Sequence, residues 1–282
     1  MRWQIKVTSE IGRLRTVLLG RVDNFKLYEP INAQQRHFYA NDPPRLEVLK
    51  QQQAAFVEVL ERHGVQIVWA AVREDSPAQV YTRDVAFSLD DTLVVCAMRE
   101  PVRQREPEAL EPLLAEVEGS IERVEAGFLE GGDVILDGRW LYVGLSDRTD
   151  PAGLSWLDRR FGDRFEIMPV PMKPGFLHLD VVFNRAGRDT ALIHAPALTA
   201  EALSLLESRY HLIEVDAEEQ FRDAVNVFSL SPGEVVADLR NARVNALLRE
   251  RGLNVIELDF SEIMKMGGAF RCATCPLERD PL

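Results

Sequence analysis

Cysteine is scarce in this chain: Cys96, Cys272 and Cys275 are the only three in 282 residues. An odd, low count argues against a secreted disulfide scaffold and leaves room for one reactive thiol. No apolar run reaches about 18 residues, so no membrane span is expected. Bases are outnumbered, 33 Lys and Arg against 45 Asp and Glu, for a net charge of -12. They form no stripe, and phosphate-backbone binding relies on clustered Lys and Arg, so nucleic acid is not an expected partner. An acidic surface weakly favours a cationic small molecule through long-range attraction. There is no G-x-G-x-x-G, no P-loop and no G-x-S-x-G elbow, so no nucleotide site or serine nucleophile is indicated. The opening residues, Met1-Arg2-Trp3-Gln4-Ile5-Lys6, lack an apolar signal core and read as the start of a strand. A cytoplasmic location is the expectation. The sequence is silent on oligomeric state, with a homodimer as one option.

What is present is a large apolar fraction, 46%, enough for a core without disulfides or metals. Length allows one large domain or two small ones; no linker or low-complexity stretch divides the chain, so residues 1–282 read as a single domain. A degenerate repeat runs through it: five segments share the order strand, strand, helix, strand. Apolar residues recur at spacings of three and four over 45–63, 107–118, 151–161, 200–209 and 239–251, the period of amphipathic helices. Asp150-Pro151 and Thr199 supply N-cap signals. Short apolar strands follow at Gln66–Ala70, Ile121–Ala126, Glu166–Pro171, Leu212–Ala217 and Asn254–Phe260. Compact β runs precede at Thr16–Leu19, Thr92–Ala97, Trp140–Gly144, Ala191–His194 and Glu234–Ala237. Residues 21–44, with Pro30, Pro43 and Pro44, read as an extended loop and a candidate lid. The simplest closed solution is an α/β ring of five ββαβ blades; an ordinary open α/β sheet is the alternative.

Residues able to do chemistry fall just after the third strand of each unit. They are Tyr81-Thr82-Arg83-Asp84, Glu130-Gly131-Gly132-Asp133, His178-Leu179-Asp180, Asn226, and Gly267-Gly268-Ala269-Phe270-Arg271-Cys272. In a ring, these positions would converge on one axis. Each has a structural reading beside the functional one. Asp84 and Asp133 could cap turns or pair with a base. His178, between two leucines, could be a hydrogen-bonded core histidine. Cys272-Ala273-Thr274-Cys275 could be a redox pair or half a zinc site. However, zinc needs four ligands, and redox C-x-x-C pairs open a helix, whereas Pro276 follows here. His37, His63, His194 and His211 lack motif context.

The motifs resemble those of the guanidine-modifying (pentein) superfamily, which includes arginine deiminases, dimethylarginine dimethylaminohydrolases and amidinotransferases. Ser9–Leu19 is similar to the opening strand. Thr82-Arg83-Asp84, Leu129–Val134, His178-Leu179-Asp180 and Gly267–Cys272 resemble the site motifs in family order, essentially end to end. The resemblance implies the five-bladed α/β propeller and a set of roles. Cys272 would be the nucleophile, His178 the general acid/base and Glu130 a carboxylate beside the guanidinium. Asp84 and Asp180 would grip the guanidinium nitrogens. Gly144–Thr149 resembles the segment whose arginine, here Arg148, holds the substrate α-carboxylate, with Arg103 near a second such arginine. Asp133 and Asn226 join the candidate substrate-binding set. No metal or organic cofactor is implied.

A guanidinium is planar, cationic and resonance-stabilised. Gripping it calls for carboxylates that accept paired N–H bonds. Attack at its carbon calls for a strong nucleophile, which a thiolate supplies near neutral pH. Surrounding acids raise a thiol's pKa, so substrate binding is expected to complete thiolate formation. Within the superfamily the signals diverge. Asp180 beside His178 favours deiminase or amidinotransferase chemistry. Gly144–Thr149 and the chain length resemble dimethylargininases. Ala78 stands where long deiminases resemble one another in having a carboxylate-binding Asn, and Phe270–Cys275 is partly similar to amidinotransferases. The favoured reading is a hydrolase of arginine or an N-substituted arginine. An amidinotransferase comes second, and a non-catalytic guanidino-binding protein third.

Overall fold

The computed structural model describes residues 2–282. Five three-stranded sheets share one plan. In each, a central strand pairs antiparallel with one neighbour and parallel with the other. A hairpin suffices for the antiparallel pair, but the parallel pair needs a crossover, and helical segments supply it. The central strands are Leu14–Leu19, Thr92–Val95, Trp140–Leu145, Thr190–Ile193 and Glu234–Asp238. Their parallel partners are Gln66–Trp69, Ser120–Arg123, Glu166–Pro171, His211–Glu214 and Asn254–Leu258. In the first sheet the antiparallel partner comes from the far end of the chain. Strand Cys275–Arg279 pairs with Leu14–Leu19, with Cys275 opposite Leu18.

Helix Leu46–Arg62 buries Leu49, Phe56, Val59 and Leu60 on one face. Phe56 meets Phe270 at 5.2 Å and Phe260 at 5.7 Å between ring centroids, and Phe260 stacks on Phe270 at 4.1 Å. Such aromatic contacts contribute beyond their buried area, and here they anchor the segment that ends at Cys272. Helices Pro151–Phe161 and Ala200–Glu207 start as expected: Asp150 accepts from the Gly153 amide and Thr199 from the Ala202 amide.

Several expected elements differ. The 107–118 stretch is not one helix. It divides into a 3₁₀ turn, Glu106–Leu110, and a single α turn, Glu111–Leu114. Pro107 and Pro112 each remove a backbone donor, which prevents a continuous ladder. The helix expected over 239–251 is Ala242–Glu250, and the strand expected over Ile121–Ala126 is Ser120–Arg123. Residues 21–44 are not an extended loop throughout: they carry helix Ala33–Asn41, with Asn32 capping the Gln35 amide. The opening residues form a two-residue strand, Trp3–Gln4, beside Val117–Glu118. No helix among the described residues is long and apolar enough to cross a membrane.

Candidate active site

The five motif segments occupy equivalent places, within three residues ahead of each sheet's antiparallel strand. Asp84 precedes Ala86–Leu89, Asp133 precedes Val134–Asp137, and Asp180 precedes Phe183–Arg185. Asn226 precedes Phe228–Ser231 and Cys272 precedes Cys275–Arg279. Their side chains are buried, and the contacts below join them into one site.

His178 Nε2 lies 2.8 Å from Glu130 Oε2, and Nδ1 lies 3.6 Å from Asp84 Oδ1. Burial pushes the histidine pKa down. Asp84, the Glu130 hydrogen bond and Asp133 outweigh it and bring the pKa up to about 9. For Glu130, burial pushes up, while His178, Arg148 and Arg103 bring the value to about 2. The pair is therefore a buried imidazolium–carboxylate ion pair. Glu130 Oε1 accepts from the Arg99 amide at 2.9 Å, so both of its oxygens are engaged and it orients His178. Gly132 makes the approach possible, because a Cβ there would stand 2.7 Å from His178 Nδ1 and 3.0 Å from Asp84 Oδ1.

Cys272 Sγ is 3.1 Å from Asn226 Nδ2 and 3.5 Å from Asp180 Oδ2. Asn226 Oδ1 accepts from the amides of Cys272 (3.0 Å) and Ala269 (3.2 Å). This amide side chain thus pins the loop that carries Cys272. Burial, then Asp180, Asp84 and Asp223, push the Cys272 thiol well above its ordinary value, and Arg271 pulls it back. Cys275 is also buried, but it lies within a strand. Its thiol is pushed up to about 12, chiefly by burial. All three cysteines are free.

The other candidates divide by task. Asp84 Oδ2 accepts from Arg103 Nη1 at 2.7 Å, while Oδ1 has no hydrogen-bond partner among the described residues. Arg103 also donates from Nε and Nη2 to Glu106 Oε2, at 2.9 and 2.8 Å. Asp133 accepts from the Leu179 amide (2.8 Å) and the Ser146 hydroxyl (2.6 Å), which supports the turn that carries His178. Burial raises its pKa to about 7. Arg148 is 2% exposed; Nη2 donates to the Ile31 carbonyl at 2.9 Å, and Nη1 has no hydrogen-bond partner among the described residues. Ile31 belongs to the 21–44 segment and lines the same pockets as Arg148. From the same segment Asn32 and Gln35 donate to the Met266 carbonyl, at 3.1 and 2.8 Å. Gly267, at φ +91, lets Asn32 come close: a Cβ there would meet the Asn32 side chain at 2.4 Å.

Asp84, Glu130 and His178 bring one ligand atom each within 4.8 Å of one another. Oxygen and imidazole donors suit several divalent ions. Here the same groups are engaged in pairs, Glu130 with His178 and Asp84 with Arg103.

Reading the sequence left Arg271 and Glu10 without roles. Arg271 bridges Asp180 and Glu10 beneath the thiol. The available signal is its position next to Cys272. Glu10 gave none, because it reaches the site from the other end of the chain.

Buried thiol, charged imidazole and flanking carboxylates on a fold of repeated three-stranded sheets define the guanidino-modifying class of enzyme. Residues 23–279 match the family described as N,N dimethylarginine dimethylhydrolase, eukaryotic, and the chain belongs to that family, within the pentein superfamily. The chain is 37% identical to the uncharacterized protein YkgA of Bacillus subtilis (strain 168), over 96% of this chain and 94% of that one. It is 30% identical to an arginine deiminase of Mycobacterium avium (strain 104) over 73% of this chain, and it spans 61% of that deiminase's length. In fold it is similar to SxtG, an amidinotransferase of Microseira wollei. The TM-score is 0.84 at 17% identity, covering 99% of this chain and 98% of that one. It is also similar to the N-terminal domain of ArgZ, an arginine dihydrolase from cyanobacteria. There the TM-score is 0.84 at 21% identity, over 94% and 97% of the two chains.

Proposed function

We propose that this enzyme hydrolyses a guanidino C–N bond of arginine or an N-substituted arginine through a covalent bond to Cys272. One observation carries the reading. Asp84 Oδ1 and His178 Nδ1, both buried and without hydrogen-bond partners among the described residues, belong to the same site as Cys272 Sγ and Asp180. A guanidinium bound there gives Asp84 and Asp180 N–H partners and brings a positive charge to the thiol. That charge lowers the thiol pKa, so the thiol gives up its proton to solvent as the substrate binds, and binding produces the nucleophile. Sγ attacks the guanidinium carbon. His178, already charged, donates its proton to the departing amine. The thiouronium carbon then accepts water, whose proton returns to His178, and the C–S bond breaks to give a citrulline-type urea. Acid–base help of this kind contributes about 10²–10⁴ in rate.

The recognition of an amino-acid end is supported by the mouth of the site. A pocket there is lined by Arg36 and Arg148 together with Glu100 and Asp147. Mixed charge of this kind suits a carboxylate beside an ammonium. A tighter pocket between Arg148, Arg103, Tyr81 and Gly267 adjoins it, sharing Arg148 and Leu177.

The test is incubation with arginine, methylarginines and agmatine, with assays for ureido product, ammonia, methylamines and ornithine. Citrulline with ammonia identifies a deiminase, and citrulline with a methylamine a dimethylargininase. Turnover that requires an added amine would replace the hydrolase by an amidinotransferase, to which Phe270–Cys275 bears a partial resemblance. Binding without turnover would replace both by a guanidino-binding protein.

A further inference from the structure

Arg271 directly precedes the nucleophile and is 1% exposed. Its Nη1 donates to Asp180 Oδ2 at 2.8 Å. Its Nη2 donates to Glu10 Oε1 at 2.9 Å and to the Val134 carbonyl at 2.7 Å. One guanidinium therefore ties together the segment ahead of strand Leu14–Leu19, the strand that follows the Glu130 turn, and the turn that carries Asp180. The Asp180 oxygen that accepts from Arg271 is also the one closer to Cys272 Sγ, at 3.5 Å against 3.7 Å.

We propose that Arg271 is a positioning residue for the chemistry at Cys272: it fixes the Asp180 carboxylate between the thiol and the guanidinium site, and it balances that carboxylate's charge while the site is empty. A thiolate and a carboxylate 3.5 Å apart in a buried site repel strongly. Without Arg271, the Asp180 charge beside the thiol goes unbalanced, which disfavours the thiolate, and the carboxylate loses the bond that fixes it as a grip on the substrate. Glu10 neutralises the other end of the fork, since it too is buried and ion-paired, with its pKa near 2. The planar fork of arginine spans both carboxylates, which the single ammonium of lysine does not reproduce. The pull of Arg271 on the Cys272 thiol, downward against burial and three acids, has the sign this arrangement requires. The kinetic consequence rests on the proposed guanidino chemistry, whereas the consequence for the thiol does not.

The experiment compares wild type with Arg271→Lys and with the double variant Glu10→Gln/Arg271→Gln, which leaves no buried carboxylate facing a missing partner at Glu10. Circular dichroism and thermal melting establish folding. Iodoacetamide alkylation of Cys272 across pH reads the thiol without any substrate, and kcat and KM are measured on whichever guanidine the wild type turns over. In the folded double variant the alkylation midpoint rises by about one pH unit or more, and kcat/KM falls about 100-fold, with KM rising as well as kcat falling. Arg271→Lys restores the alkylation midpoint but leaves KM about tenfold high, because charge returns without the fork. A folded double variant with the wild-type alkylation profile and kcat/KM within about threefold of wild type overturns the proposal. Should the double variant not fold, a wild-type KM in Arg271→Lys overturns it. If the wild type turns over no guanidine, the proposed function fails, and the alkylation profiles still decide the role of Arg271.

Discussion

His178 Nε2 and Glu130 Oε2 stand 2.8 Å apart with both side chains fully buried. Burial opposes each charge, yet the pair is ionised because each partner satisfies the other and Asp84 adds a second negative charge. The contact gives the site an acid that holds its proton at neutral pH. It also directs Nδ1 toward Asp84, in the part of the site where the guanidinium is proposed to bind.

Activity should therefore fall on the alkaline side as His178 loses its proton, with the limb of kcat/KM near pH 9, since that limb reports the free enzyme. Glu130→Gln removes the hydrogen-bonded negative charge. Its limb should move to lower pH by about one unit or more, with kcat/KM reduced about 100-fold. An unmoved limb in the variant would show that Glu130 does not set the histidine's charge.

The same ion pair links stability to pH. In the folded chain the His178 pKa is raised from 6.5 to about 9. Its contribution is thus full below the unfolded value and is lost as pH climbs through 9. Asp133, raised from 3.8 to about 7, acts in the same direction over a lower window. Glu10 and Glu130 are lowered from 4.5 to about 2, so their contributions are present above 4.5 and lost as pH falls toward 2. The Tm of the substrate-free enzyme should decline between pH 6.5 and 9.5 and again below pH 4. Melting curves of His178→Gln should lose the part of the decline above pH 7; an unchanged curve counts against the assignment.

Arg148 is expected to read the substrate's carboxylate through Nη1, which has no hydrogen-bond partner among the described residues and lies 3.8 Å from Glu130 Oε2. Arg148→Ala should raise KM for arginine about 10- to 100-fold, the loss of a charge-assisted hydrogen bond. For agmatine, which lacks the carboxylate, KM should change little. Equal effects on both substrates would assign Arg148 to the 21–44 segment through Ile31 instead.

The two cysteines of the C-x-x-C should behave oppositely. Cys272→Ser should lower turnover by about 10³-fold or more, because an alkoxide needs a dedicated base. Cys275→Ala should keep kcat within about threefold and cost about 1 kcal/mol of stability, as a small buried change. Steady-state kinetics and denaturant melts on the two variants check this.

Much of the architecture was legible because the helices with clear apolar periodicity and caps, such as Pro151–Phe161, depend on local signals. Their repeated phase placed Asp84, His178, Asp180 and Cys272 together before any contact was visible. The stretch around Pro107 and Pro112 misled, because apolar spacing was read over residues that cannot donate to a helical ladder. Helix Ala33–Asn41 is hidden by polarity, since its buried residues are Gln34 and Gln35, and Gln35 and the cap residue Asn32 tie it to the Met266 carbonyl by hydrogen bonds. The tasks of Glu130, Asp133 and Arg103 depend on which partner each oxygen or nitrogen meets. Those partners lie 3 to 48 residues away in the chain, a relation that motif spacing does not encode.

The most direct test is mass spectrometry of the enzyme quenched in acid during turnover of arginine and of methylarginine, with the peptides that contain Cys272 and Cys275 resolved. The account predicts an adduct on Cys272 alone that retains the substrate's carbon side chain, as a hydrolase losing ammonia or a methylamine requires. An adduct holding only the amidino group would contradict the hydrolase and indicate transfer. Turnover with no adduct on Cys272, or with an adduct on Cys275, would contradict the covalent mechanism itself.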